Sequence, residues 1–581
     1  MIADRRRRLD ACAAALALVV TLIGLVWNTR VAAGSDAYGY VSQVDLWLRG
    51  DLHIDQSFAA GVPWPGARLT FLPLGYRAAD GSRIVPQYPP GLPLMMAAAK
   101  LLGGQCAMFW VVPLCGGALV LATYAIGVRI DRPAIGLASA WIVATSPAML
   151  FMLMAPMSDV PAAAAWAVAI AGALGDTAAA ATIGGAAAAL AILIRPNLAP
   201  LAAVIALWLA VASLTRVRAL AFGLAASIGA LAVALVNARL YGSPLQSGYD
   251  LTDGFALAYA WPNMQRYVGW LISAETPVAL AGLVALAVPS VALWRTDAAR
   301  RAHSLFASFA AVVWMTYLLY VPWDAWWYLR FLLPSWPMMA IGTAAVLGRM
   351  GQMGRMGRMG RAGRAGRAGG AEGVEGAGGA GRAGTAGTGT DARVTGRSRG
   401  TTAIGRIEWR RALVAVVLLA LGVHGVVEAA RRETFNVARG EAKYVEVAGV
   451  VESITDPDAV IISMQHSGSL RYYAGRLTLR WDIGEPAWLD RTIDWLAAHG
   501  HHPYFVLEPQ EIDALRARSA ARSASARLDW TPMVVFENGG VRMFDALRRE
   551  QGAAPVVRRP RGAIRECLIQ KQAPGLRADP R

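Results

Sequence analysis

Residues 5–40 read RRRRLDACAAALALVVTLIGLVWNTRVAAGSDAYGY, and the order of their parts decides the fold. Four arginines, Arg5 to Arg8, come first; an apolar run at 9–29 follows, and then a short polar turn carries Asp36. A run of roughly 20 apolar residues spans the hydrocarbon core of a bilayer. Clustered arginine marks the cytoplasmic end of such a span. The N-terminus is therefore predicted inside, and Asp36 emerges on the outer face. No small-residue cleavage site closes the run, so it reads as an uncleaved anchor rather than a signal peptide.

The same pattern recurs downstream. Apolar runs at 105–128, 134–153, 156–175, 177–194, 197–214, 217–239, 268–294, 304–322, 330–348 and 411–429 bring the expected spans to eleven. The Ala- and Gly-rich run at 177–194 suits a helix packed inside a bundle. Short inside loops keep Arg129 and Arg132, then Arg216 and Arg218, then Arg295, Arg300 and Arg301; the inside segment 349–411 carries 13 Arg. Eleven crossings leave the C-terminal region outside. The expected fold class is an α-helical multi-pass protein of the cytoplasmic (inner) membrane with a small C-terminal α/β extracytoplasmic domain. A hydrophobic fraction of 56% and a mean hydropathy of +0.40 agree with this.

The net charge of +17 sits largely in that inside segment, beside anionic headgroups. No zinc-finger spacing or aromatic–basic interleaving accompanies it, which excludes nucleic acid as a partner. Cys12, Cys106, Cys115 and Cys567 form no disulfide framework by spacing and read as small apolar residues.

The predicted organisation is a transmembrane domain over 1–348 with its first outer loop at 30–88, an Arg/Gly-rich disordered cytoplasmic linker over 349–408, and a last span at 409–430. An extracytoplasmic α/β domain at 431–550 and a disordered Pro- and Arg-rich tail at 551–581 follow. The linker runs RMGQMGRMGRMGRAGRAGRAGG without proline, which excludes collagen. In the outer domain AVIIS (459–463), YFVLE (504–508) and MVVF (533–536) read as buried strands, with helices at 487–499 and 509–522.

The polar clusters all fall on the outer side. In the first loop Tyr40, Val41, Val44, Trp47 and Leu48 share one face of a helix that Gly50 can stop, predicting an amphipathic helix at the interface. Asp36 at its start is either its N-cap or a base for an acceptor hydroxyl or amine; one residue can do both. Asp159 in MSDVP opens a span on the same face and is either a cap or part of a polar site. Two carboxylates suffice for base work or for one divalent ion; no metal site is predicted and no cofactor is required, with a divalent cation possible. Arg195 in LIRPN either snorkels or holds a phosphate. VPQYPPGLPL (85–94) reads as an elbow that places Tyr88 at the interface, and YGSPLQSGY (241–249) offers Tyr249 to a sugar. VPWDAWWYLRFLLPSWP (321–337) gathers Asp324, Trp327 and Arg330, and a guanidinium at the head of a span suits a lipid phosphate.

Taken in order, GSDAYGY, QYPPGLPL, MSDVP, LIRPN, YGSPLQSGY and WWYLRFLLP resemble the polyprenyl-phosphate-sugar-dependent membrane glycosyltransferases of the GT-C fold, over about residues 1–345. That group includes protein O-mannosyltransferases and bacterial aminoarabinose transferases. The resemblance implies an inverting enzyme that takes a sugar from a polyprenyl-phosphate donor to an outer acceptor. It makes Asp36 the catalytic carboxylate and Asp159 the second acid, with Arg330 and Arg195 as candidates for the donor phosphate. Tyr88, Tyr249, Asp324 and Trp327 then line the substrate cavity. Asp36 is followed by Ala37, so the paired acidic motif of the protein O-mannosyltransferases is missing. A transporter or flippase for lipid-linked sugars is the alternative, though no repeat between halves supports it.

Overall fold

The computed structural model describes residues 2–212, 216–249, 254–291, 293–350, 401–549, 554–560 and 562–571. Five described helices are long and apolar enough to cross a membrane: Asp4–Trp27, Gln105–Ile130, Val217–Tyr241, Trp326–Met350 and Ala412–Arg431. A sixth forms if the bent pair Pro133–Ala144 and Pro147–Leu153 is one span. Shorter apolar helices, among them Asp159–Ala173 and Ala178–Ile194, pack between them. Of the linker expected over 349–408, residues 351–400 lie outside the described residues, and the final helix already starts at Thr401.

Two expected spans are broken, each for a local reason. The helix at 133–153 bends by 61° at its break. There Ser146 accepts the Met149 amide as an N-cap, and Pro147 occupies the first helical position. The run at 268–294 divides into Ala260–Trp270, a π-helical turn at Leu271–Glu275 and Ala279–Ala287. Glu275 bridges the two breaks, accepting from Ser146 Oγ at 2.7 Å and from the Ala148 amide at 3.0 Å.

The loop at 30–88 folds onto the bundle. Its helix Asp36–Arg49 stops at Gly50 (φ 76°) as expected, but it does not lie amphipathically on a surface. Tyr38 to Val44 are all buried, and Ser42 bonds the Tyr76 hydroxyl at 2.8 Å inside the fold. Strands β1 (Ile54–Asp55), β2 (Tyr76–Ala78) and β3 (Arg83–Pro86) form a small antiparallel sheet in the order β1-β3-β2. Beyond the elbow the chain continues as a helix, Gly91–Gly103.

The C-terminal sheet has six strands in the order β5-β4-β6-β8-β7-β9. They are β4 (Val460–Ile462), β5 (Leu477–Leu479), β6 (Pro503–Leu507), β7 (Val534–Phe536), β8 (Arg542–Asp545) and β9 (Val556–Arg558). Helices Leu489–Ala498 and Pro509–Ser519 flank it. This sheet does not bury a core of its own: Trp64, Ala67 and Phe71 from the first loop pack into one apolar cluster with Val460, Leu479, Phe505 and Phe544.

Within the described part of the tail, β9 extends the sheet beside β7 and the Lys571 amide donates to the Tyr472 carbonyl at 2.8 Å. One expectation is corrected at the C-terminus, that all the cysteines are free: Cys106 at the head of the Gln105–Ile130 helix is disulfide-bonded to Cys567, 461 residues away. Spacing cannot reveal such a pair, since the fold alone brings its members together.

Candidate active site

The site lies where the first loop meets the heads of three helices. Asp36 is the first residue of the Asp36–Arg49 helix; Ser35 precedes it without a side-chain capping bond. Asp159 begins the Asp159–Ala173 helix, where the free backbone amides of the first turn favour a carboxylate. Arg195 ends the Ala178–Ile194 helix, and Pro196 prevents that helix from continuing. Arg330 sits in the 3-10 stretch Trp326–Ser335 that leads into the helix Trp336–Met350.

These four side chains form one alternating charge cluster. Arg330 Nη2 donates to Asp36 Oδ2 at 3.0 Å, while its Nε stands 3.9 Å from Asp159 Oδ1. Arg195 Nη2 donates to the same Asp159 oxygen at 2.5 Å. The two carboxylates read from sequence as lying on one face thus share a guanidinium. Arg195 also donates to Ser158 Oγ at 3.1 Å and to the Tyr317 hydroxyl at 3.2 Å, and Asn197 reaches that hydroxyl at 3.1 Å. Tyr40 donates to Ser158 Oγ at 2.9 Å. The Arg330 guanidinium lies over the rings of Tyr328 (5.0 Å) and Phe331 (5.2 Å), which shield it from water.

Burial separates the two acids. The Asp36 side chain is 32% exposed and that of Asp159 is 0% exposed. Asp159 Oδ2 and Arg330 Nε are buried and find no hydrogen-bond partner among the described residues. Buried polar atoms are nearly always satisfied, so an orphaned acceptor and an orphaned donor in one cluster mark a place for another polar group.

The structure brings Tyr88 and Tyr249 to the cluster: Tyr88 donates to Asp36 Oδ1 at 2.6 Å, and its ring meets that of Tyr249 edge-on at 5.8 Å. Asp324 and Trp327 do not join it. Asp324 points outward, its side chain 92% exposed, and faces Arg266 at 3.7 Å. Trp327 stacks on Phe151 at 5.8 Å. Neither makes a hydrogen bond or ion pair with Arg330, although Trp327 shares its 3-10 stretch. Ser158, Asn197, Tyr317 and Tyr328 carry no signal of their own in the sequence, and Tyr40 reads there only as part of a helix face. Ser158 and Asn197 stand inside quoted motifs, whereas Tyr317 is an ordinary residue of the Asp297–Leu318 helix until that helix packs here.

The donor set suits an anion better than a dication. Each carboxylate already faces a guanidinium, and among the described residues no three His, Cys, Asp or Glu side chains gather as metal ligands.

No protein-family model matches the chain, and no curated protein sequence does. Solved structures do share its fold. The crystal structure of ArnT from Cupriavidus metallidurans in the apo state matches with a TM-score of 0.53 at 14% identity, covering 95% of this chain and 100% of that one. The same protein bound to undecaprenyl phosphate matches with a TM-score of 0.51 at 13% identity, covering 93% and 98%. The chain has the GT-C fold.

Proposed function

We propose that this chain is an inverting membrane glycosyltransferase that moves a sugar from a polyprenyl-phosphate donor to an acceptor outside the cytoplasmic membrane. The observation that carries the reading is the Asp36–Arg330–Asp159–Arg195 cluster with its orphaned polar atoms. That ArnT has been captured with undecaprenyl phosphate supports the donor class.

Roles follow from exposure. Asp36 is open to a water-borne acceptor and takes the proton from its hydroxyl or amine as that atom attacks the anomeric carbon. The bond from this carbon to the phosphate oxygen breaks in the same displacement, inverting the centre, and the polyprenyl phosphate leaves with the electron pair. Negative charge grows on that phosphate, where the Arg330 guanidinium with its bare Nε stabilises it. Asp159 is too deeply buried to meet an acceptor; it holds Arg195 and Arg330 in place.

On this reading the chain crosses the membrane eleven times, with the N-terminus inside. The Cys106–Cys567 disulfide supports the orientation, because disulfides persist in extracytoplasmic compartments and this one joins the head of a span to the C-terminal segment.

The test is transfer of radiolabelled sugar from a panel of polyprenyl-phosphate donors in membranes, comparing wild type with Asp36→Asn. Wild-type transfer that falls by about 10²–10⁴-fold in the variant, at equal protein level, is expected. Full activity in Asp36→Asn would remove the base. Translocation of sugar lipid with no transfer from any donor would favour a flippase instead.

A further inference from the structure

The ring of Tyr88 lies in a slot shaped for it. Gly39, one turn into the Asp36–Arg49 helix, approaches so closely that a Cβ there would stand 2.2 Å from the ring carbon Cδ2. Gly75 narrows the slot further with its backbone at φ +84°; a Cβ on it would lie 3.0 Å from both the Tyr88 ring and the Gly39 Cα. Tyr40 packs on the ring at 4.9 Å and Tyr249 at 5.8 Å. The backbone is held as well, because the Gln87 amide donates to the Gly75 carbonyl at 2.9 Å where β2 pairs with β3.

The result is a hydroxyl with a fixed address. Tyr88 Oη lies 2.6 Å from Asp36 Oδ1 and 2.8 Å from Ser35 Oγ. Burial, reinforced by the charge of Asp36, raises the Tyr88 phenol well above its ordinary pKa, so it keeps its proton and acts as a donor. Its single proton goes to Asp36, which leaves Ser35 to donate to Tyr88. The opposite carboxylate oxygen is already held by Arg330.

We propose that Tyr88 is the positioning residue of the Asp36 base: wedged between Gly39 and Gly75, it fixes Oδ1 while Arg330 fixes Oδ2, so the carboxylate meets the acceptor in one orientation. This rests on the reading of Asp36 as the base. A ring that only filled space would work equally well as phenylalanine, and that difference separates the two roles.

The experiment compares wild type, Tyr88→Phe, Tyr88→Ala, Gly39→Ala, the Gly39→Ala/Tyr88→Ala double variant and Asp36→Asn in the donor-transfer assay, with thermal unfolding in detergent alongside. Tyr88→Phe keeps the ring and deletes the hydroxyl. It should lower kcat by about 10- to 100-fold, as expected for a lost hydrogen bond to a charged group, with donor KM and unfolding temperature unchanged. Gly39→Ala should lower kcat by displacing the ring, and should have no further effect once Tyr88→Ala has emptied the slot. Wild-type turnover in Tyr88→Phe, with Asp36→Asn inactive, would overturn the positioning role and leave the transferase reading standing. A loss shared by kcat, KM and unfolding temperature would reduce Tyr88 to packing. Full activity in Asp36→Asn would overturn the base and this role together.

Discussion

The two acids of the site are alike in chemistry and opposite in surroundings, and their substitutions should differ accordingly. Asp159 is the common counter-ion of two buried guanidiniums. Asp159→Asn leaves those cations facing each other, a loss of roughly 3–5 kcal/mol for a broken buried pair. A large drop in unfolding temperature in detergent is expected, against little change for Asp36→Asn, whose carboxylate is partly solvated. Arg330→Lys keeps the charge but cannot span Asp36 and Asp159 while presenting a further donor. Initial rates at saturating donor should fall by about 10²–10³-fold, in the range seen when one stabilising donor is lost. Asp36, Asp159, Arg195 and Arg330 stand out in the sequence because charge at the end of an apolar run is conspicuous. Which arginine serves which acid does not, since no spacing joins residue 36 to residue 330.

At the scale of elements, sequence marks the ends of helices better than their surroundings. Ser146–Pro147 is a readable helix start lying inside an apolar run, and the bend occurs there. The helix Asp36–Arg49 has a readable stop at Gly50, yet its Ser42 and Gln43 are buried inside the fold instead of facing water. Beside the C-terminal sheet, Glu508 opens the Pro509–Ser519 helix in a reciprocal capping box with Glu511. Burial opposes ionisation of Glu508, but His466 at 3.3 Å and Lys443 at 2.6 Å outweigh it and draw its pKa down to about 2. A carboxyl depressed in the folded state contributes stability above its unfolded value near 4.5, and that contribution disappears as pH falls toward 2. On the order of 2 kcal/mol is expected in this window. Unfolding temperatures measured from pH 6 down to pH 3 should therefore fall more steeply for wild type than for Glu508→Gln. Equal slopes would remove Glu508 from the acid response.

For the whole molecule, the first loop and the C-terminal sheet act as one body. Tyr473 Oη accepts the Ala32 amide at 2.6 Å, Ser467 Oγ accepts the Leu74 amide at 3.1 Å, and the ring of Tyr38 rests against Gly468. The buried Arg471 reaches the Phe71 carbonyl; burial without a carboxylate partner brings its pKa down to about 10. The sheet thereby braces the turn that carries Asp36. The Cys106–Cys567 bond adds a covalent tie between halves of the chain separated by the 351–400 segment. A protease site inserted in that segment should yield fragments that migrate together without reductant and apart with it. Cys106→Ser or Cys567→Ser should separate them under both conditions. Separation of the unsubstituted fragments without reductant would refute the tie.

What the sequence determined by itself is what depends on local composition: apolar length, helix starts and stops, and the acids and bases standing at the ends of apolar runs. Those features act through water, bilayer and backbone, which every residue meets in the same way wherever its neighbours lie. Only the tertiary structure decided the pairing of Asp36 and Asp159 across Arg330, the glycine slot around Tyr88, the shared core of loop and sheet, and the disulfide. Each is a contact between segments far apart in the chain. Its energy depends on separations of a few ångströms that arise only when several helices pack at once.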